Sequence, residues 1–116
     1  MTDCGKRITV VFYRSVSGAE PVREWLLALS AEDRKIIGVD IKTVEYGWPI
    51  GMPTCRSLGV GLWEVRSNLV DGKIGRVMFC IRDGDMYLLH GFIKKSQKTP
   101  RSDLNVAISR KKELES

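Results

Sequence analysis

The side chains of this chain best suited to chemistry are cationic. Arg66 and Arg76 lie in two β-patterned segments, while Lys94, Lys95 and Lys98 crowd a short stretch that ends at Thr99-Pro100. Guanidinium and ammonium groups drawn from separate segments suit one task above others: holding phosphate oxygens and the extra negative charge of a phosphoryl transition state. Cleavage of RNA by its own 2′-hydroxyl also needs a base to take that proton and an acid to protonate the departing 5′-oxygen. His90 is the sole imidazole. The lysines are the other source, if neighbouring positive charge lowers their ordinary pKa of ~10.4. The candidate catalytic residues are therefore Arg66, Arg76, Lys94, Lys95 and His90, with Lys73, Gln97, Lys98, Thr99 and Arg101 as contacts that would hold RNA beside them.

Each candidate has an ordinary reading as well. His90 sits in an apolar strand pattern, where a hydrogen-bonded structural histidine is common. Arg66 and Arg76 could pair with Glu64 or Asp71, and a short lysine run could simply solvate a loop. Trp25, Trp48 and Trp63 read as core or core-edge residues rather than base-stacking platforms, and Cys55 and Cys80 as small buried hydrophobes.

Several elements must position these groups. Arg7 to Arg14 is β-branched and aromatic in the middle and basic at its ends, a buried strand. Ser17-Gly18-Ala19-Glu20 reads as a capping box before Val22, Trp25, Leu26 and Leu29 at helical spacing. Ser30 with Asp33 starts a second helix, which carries Ile37, Ile41 and Val44 on one face and runs to about Tyr46; Gly47 and Pro49 stop it. From Pro53 the period becomes two, giving strands at Leu62 to Ser67, Gly75 to Ile81 and Met86 to Lys94, with a shorter one around Cys55 to Leu58. Asp71-Gly72 and Asp83-Gly84 are hairpin turns, because glycine accepts the positive φ such turns require. Thr99 as N-cap and Pro100 in the first turn open a last helix bearing Leu104, Ala107, Ile108 and Leu114. The result is a single α+β domain over residues 1–116, ordered β-α-α-(β)-β-β-β-α.

Alternation directs Val77, Phe79 and Ile81 toward the helices and leaves Arg76, Met78 and Cys80 facing away. If Trp63 and Val65 share the core side, Arg66 and Arg76 emerge together on an outer, solvent-facing surface with Glu64 beside them. The run from Lys94 to Thr99 adds three ammonium groups and ends at a helix N-terminus, which attracts phosphate.

Lys and Arg outnumber Asp and Glu by 19 to 14, a formal +5, which makes nucleic acid the leading partner class. Cys4, Cys55 and Cys80 form no C-x-x-C pair, and one histidine does not complete a zinc set, so neither metal nor cofactor is expected. No apolar run approaches the ~20 residues of a membrane span, and the N-terminus lacks a signal-peptide pattern, so a cytoplasmic protein without membrane contact is expected.

Pro21 to Leu29 (PVREWLLAL), Gly61 to Arg66 (GLWEVR), Gly75 to Phe79 (GRVMF) and above all Leu89 to Pro100 (LHGFIKKSQKTP) before a helix resemble the RelE/HigB-like toxins, in particular their phage-derived HigB branch. The resemblance covers about Ile8 to Leu114. It implies a RelE-like fold, with two N-terminal helices and a C-terminal helix packed on a mostly antiparallel sheet. It also implies a metal-independent endoribonuclease toxin that cuts messenger RNA, often on the translating ribosome. A neighbouring antitoxin, commonly with a helix-turn-helix DNA-binding domain, would silence it, and the toxin itself would not touch DNA directly. By the same matching, Arg66 and Arg76 correspond to strand arginines that hold the scissile phosphate, and Lys94 and Lys95 to the basic residues after the last strand. The chain departs from some relatives in having no tyrosine in its final helix. Two other functions fit the composition: a non-catalytic RNA-binding module, and an inactive toxin that serves as an antitoxin-binding corepressor.

Overall fold

The computed structural model describes residues 5–94 and 99–115. Lys95, Gln97 and Lys98, named above as site candidates, lie outside the described residues, as does Cys4. The elements are β1 (Thr9–Phe12), α1 (Pro21–Ala28), α2 (Ala31–Gly47), β2 (Cys55–Gly59), β3 (Leu62–Asn68), β4 (Ile74–Arg82), β5 (Asp85–Lys94) and α3 (Arg101–Glu115), with a short 3-10 turn at Val70–Gly72. They form one sheet ordered β1-β5-β4-β3-β2, parallel only between β1 and β5. This α+β arrangement is the expected order with the short fourth strand present, and it is compatible with a RelE-like fold.

Local chemistry accounts for most boundaries. The Ser30 hydroxyl accepts from Asp33 N at 3.2 Å, capping α2 as the sequence predicts. Arg34 Nη1 donates to Leu29 O at 3.2 Å and Leu27 O at 3.3 Å, so α2 also caps the carbonyls that end α1. Asp83 and Gly84, with φ of 50° and 81°, make the tight turn between β4 and β5.

The capping box at Ser17 does not form. A residue before proline is driven out of the helical region, and Glu20 sits at φ −118°, ψ 85°, so α1 starts at Pro21 with no side-chain cap. Ser15 instead organises the preceding loop, its hydroxyl accepting from Ala19 N at 3.1 Å.

Both faces of the sheet are covered. On one side α1 and α2 bury Val22, Ile37, Ile41 and Val44 against Val65, Val77, Phe79, Met86 and Leu88. Trp25, Trp48 and Trp63 border this core, and the Trp48 and Trp63 rings meet edge to face at 4.9 Å. On the other side Ala107, Leu104, Ile108 and Leu114 of α3 cover Leu62, Met78, Cys80, Leu89 and Phe92. Met78 and Cys80 do face away from α1 and α2, but into a second core rather than solvent. Strict alternation along β4 could not anticipate this, because its Arg76, Met78 and Cys80 positions look like one polar-to-neutral face when α3 is left out.

Gly91 lies against α1. A methyl group there would stand 2.4 Å from the Trp25 ring. Gly91→Ala is expected to cost about 1–3 kcal/mol through this overpacking. Gly38→Ala in α2, where the added methyl meets nothing within 4 Å, is expected to gain roughly 0.5–1 kcal/mol from helix propensity. Urea unfolding of the two variants checks the opposite signs, and a neutral Gly91→Ala would contradict the packing.

Candidate functional site

The working surface is the part of the α3-facing sheet side that the apolar half of α3 leaves polar. In β3 and β4 the register sets Arg66 directly across from Arg76 and Glu64 across from Met78, so both arginines share the face as expected. Phe92 of β5 lies across from Arg76.

Arg76 does not reach solvent. Its guanidinium and the Glu64 carboxylate are both fully buried, with Arg76 Nη1 at 3.4 Å from Glu64 Oε1. At this distance the contact is an ion pair rather than a short charge-assisted hydrogen bond of about 2.7–2.9 Å. The expectation of an outward-pointing, exposed Arg76 is thereby corrected. The guanidinium meets the buried Glu64 carboxylate, whose second oxygen is held from just before α3, instead of water.

Thr99 has a different role from the helix cap expected of it. Leu104 N donates to Pro100 O at 3.1 Å, which puts Pro100 at the cap position, and the Thr99 hydroxyl donates to Glu64 Oε2 at 3.0 Å. Glu64 thus links β3, β4 and the start of α3.

His90 is brought in by an irregularity. Met78 pairs with His90 but Phe79 pairs with Leu88, so Leu89 is an extra residue in β5. Without it, His90 would follow Met86 and Leu88 toward α1 and α2. With it, His90 faces α3, where Nε2 lies 2.7 Å from Asp103 Oδ1 and the ring stacks on Phe92 at 5.8 Å between centroids. When Nε2 is the nitrogen that donates to the Asp103 carboxylate, the Nδ1 lone pair is left for another proton. The imidazole is about a fifth exposed, so it is both held and reachable.

The remaining candidates divide. Arg66 is half-buried and lines a polar cleft of about 190 Å³ with Asp40, Pro53, Thr54 and Asn68. Lys94, on the same face as His90 and Phe92 by alternation, and Arg101, at the first residue of α3, are exposed. Lys73 belongs elsewhere: its Nζ is 3.7 Å from Asp33 Oδ2 of α2. Two contributors were missed. Asp103 carries no motif of its own in the sequence; the available signal is its place in the first turn of a helix, where carboxylates are favoured. Arg56 pairs directly with Glu64 and so lies on the same face; alternation within Cys55 to Leu58 carried that signal, since Cys55 packs with the α1 and α2 core and Leu58 with the α3 core.

The Cys55 and Cys80 thiols are unsuited to catalysis. Burial, with help from the Glu64 charge, pushes the Cys55 thiol up to about 11, and burial also raises Cys80.

Residues 24–112 match the family of phage-derived Gp49-like proteins (DUF891). The chain belongs to that family. The matched span runs from α1 through most of α3 and includes Glu64, Arg66, Arg76, His90 and Asp103. No curated protein matches this Gp49-like chain.

Two measurements check the site. Arg76→Ala leaves the Glu64 carboxylate buried without its guanidinium and is expected to destabilise the protein by about 3–5 kcal/mol, whereas Glu64→Leu with Arg76→Met recovers most of the loss. Denaturant titration decides; an Arg76→Ala protein of parental stability contradicts the burial. In a Cys4→Ser background, Cys55 and Cys80 should resist a thiol reagent at mildly alkaline pH until the chain unfolds, and rapid modification of the folded protein would contradict their protonated, buried state.

Proposed function

We propose that this Gp49-like protein is the toxin of a toxin-antitoxin pair, a metal-independent endoribonuclease that cuts messenger RNA, with the translating ribosome as its setting in the cytoplasm. The observation that carries the reading is the Leu89 bulge, which turns the chain's sole histidine, supported by Asp103, onto the face that bears the arginines. Bulges beside functional sites re-aim a side chain in this way.

The chemistry follows from the groups on that face. His90 takes the 2′-hydroxyl proton through Nδ1 while Asp103 stabilises the imidazolium that forms. The 2′-oxygen bonds to phosphorus, the bond from phosphorus to the 5′-oxygen breaks, and a protonated lysine of the Lys94 region supplies the leaving oxygen's proton. Arg66 holds the phosphate oxygens as negative charge builds. Arg76 acts indirectly, through its pair with Glu64 and the resulting placement of α3. Lys94, Arg101 and Arg56 attract the rest of the strand by phosphate contacts. The partner that silences the toxin is an antitoxin with a helix-turn-helix domain, whose acidic groups meet Arg66, Lys94 and Arg101.

The sequestration of Arg76 by Glu64 favours a second reading, an RNA-binding module without cleavage. It predicts gel shifts with RNA left intact.

Induced expression without the antitoxin is expected to arrest growth and to create new RNA ends within coding regions. Arg66→Ala should lower single-turnover cleavage on programmed ribosomes by a factor on the order of 10²–10³ in protein that circular dichroism shows to be folded. Unaltered growth and intact transcripts at confirmed expression of folded protein would defeat the reading.

A further inference from the structure

We infer that Arg110 is a positioning residue that keeps His90 on the working face by holding the carbonyl of the bulged Leu89. This rests on the reading of His90 as the proton-transfer group, but its physical content is independent of RNA.

Leu89 is the one position of β5 between Met86 and Lys94 with no partner in the β4 register. A bulge leaves such a residue outside the ladder, and a buried backbone carbonyl without a donor costs free energy. On the other side of β5, Leu88 O already accepts from Tyr13 N at 3.0 Å. Arg110 supplies what the ladder does not: its Nη1 donates to Leu89 O at 2.8 Å from the third turn of α3.

The guanidinium is itself held. It lies over the Tyr13 ring at 5.5 Å from the centroid, and the Tyr13 hydroxyl donates to Glu113 Oε1 at 2.5 Å. Arg110 and Glu113, three residues apart on α3, therefore straddle the residue that follows β1. The Tyr13 hydroxyl has its pKa raised by burial and by the Glu113 hydrogen bond and charge, which outweigh the lowering effect of the Arg110 charge.

The consequence reaches His90 through geometry. Removing one residue's worth of bulge shifts the register by one and transfers the following side chain to the opposite face. His90 directly follows Leu89, so whatever stabilises the bulge stabilises the orientation in which Nε2 meets Asp103. Among the described residues, the hydrogen bond and the ring contact of Arg110 go to Leu89 and Tyr13, so its action on His90 runs by way of the backbone.

Because the chain has a single histidine, its imidazole gives unambiguous nuclear magnetic resonance signals. The test uses the full chain labelled with nitrogen-15 and no RNA, comparing the parent with Arg110→Met, Arg110→Lys and, as a control on the same helix, Lys112→Met. In the parent and the control, the ring shifts report the proton on Nε2, and cross-relaxation connects the His90 ring to Phe92. Arg110→Met is expected to at least halve that cross-relaxation and to populate the other tautomer; Arg110→Lys, which keeps a donor but loses the planar group over Tyr13, gives an intermediate result. Parental ring signals in either folded Arg110 variant would overturn the inference. If Arg110→Met does not fold, Arg110→Lys alone decides. Cleavage is then measured separately: ring signals that move in a protein with no ribonuclease activity would defeat the proposed function and leave the positioning role standing.

Discussion

Glu64 and Arg76 meet out of water between β3 and β4, and the polar half of the sheet is arranged around what that burial demands. Removing two ions from water carries a penalty of several kcal/mol for each, offset only when they face each other and their remaining hydrogen-bonding positions are filled. Glu64 also lies among arginines: Arg56 is opposite it, Arg66 is two residues on, and Arg66 faces Arg76 across the ladder. Like charges placed directly opposite repel, so the carboxylate is what allows Arg66 and Arg76 to share this surface. Its second oxygen takes the Thr99 hydroxyl, which brings the start of α3 onto the sheet. The position of Asp103, and with it the support of His90, follows from that docking.

The pair therefore divides labour among the cations. Arg76 is spent on structure, while Arg66 keeps one side in a polar cleft and Lys94 and Arg101 remain exposed. An α3 that sealed the whole face would leave no room for a polynucleotide, and an absent α3 would leave Met78, Cys80 and Leu89 in water. Its apolar residues Leu104, Ala107, Ile108 and Leu114 cover one half, and its first turn carries the polar contacts to the other.

Much of this was legible in the residues. Helical spacing, the Ser30 cap, the two Asp-Gly turns and the period-two segments located every element, because each depends on neighbours in sequence. The shared face of Arg66 and Arg76 was legible too, since alternation and one hairpin register suffice. Three features were not. The burial of Arg76 depends on tertiary packing that β4 does not encode, and no local pattern distinguishes an arginine facing solvent from one facing a buried Glu64. The Leu89 bulge is invisible because Leu88, Leu89 and His90 fit an unbroken strand equally well, and only the β4 register exposes the extra residue. The Ser17 box failed because a motif that satisfies spacing was overridden by the backbone restriction that Pro21 places on Glu20.

In the proposed reaction this face cuts RNA by drawing the 2′-hydroxyl into the adjacent phosphate, with His90 as the proton acceptor. The most direct measurement is the chemistry of the ends left on a ribosome-bound message by the purified protein, alongside a folded His90→Asn variant. The proposed reaction leaves 2′,3′-cyclic phosphate and 5′-hydroxyl ends with the parent, and these ends are lost with the variant. Ends bearing 5′-phosphate and 3′-hydroxyl groups, or equal cleavage by the variant, would contradict it.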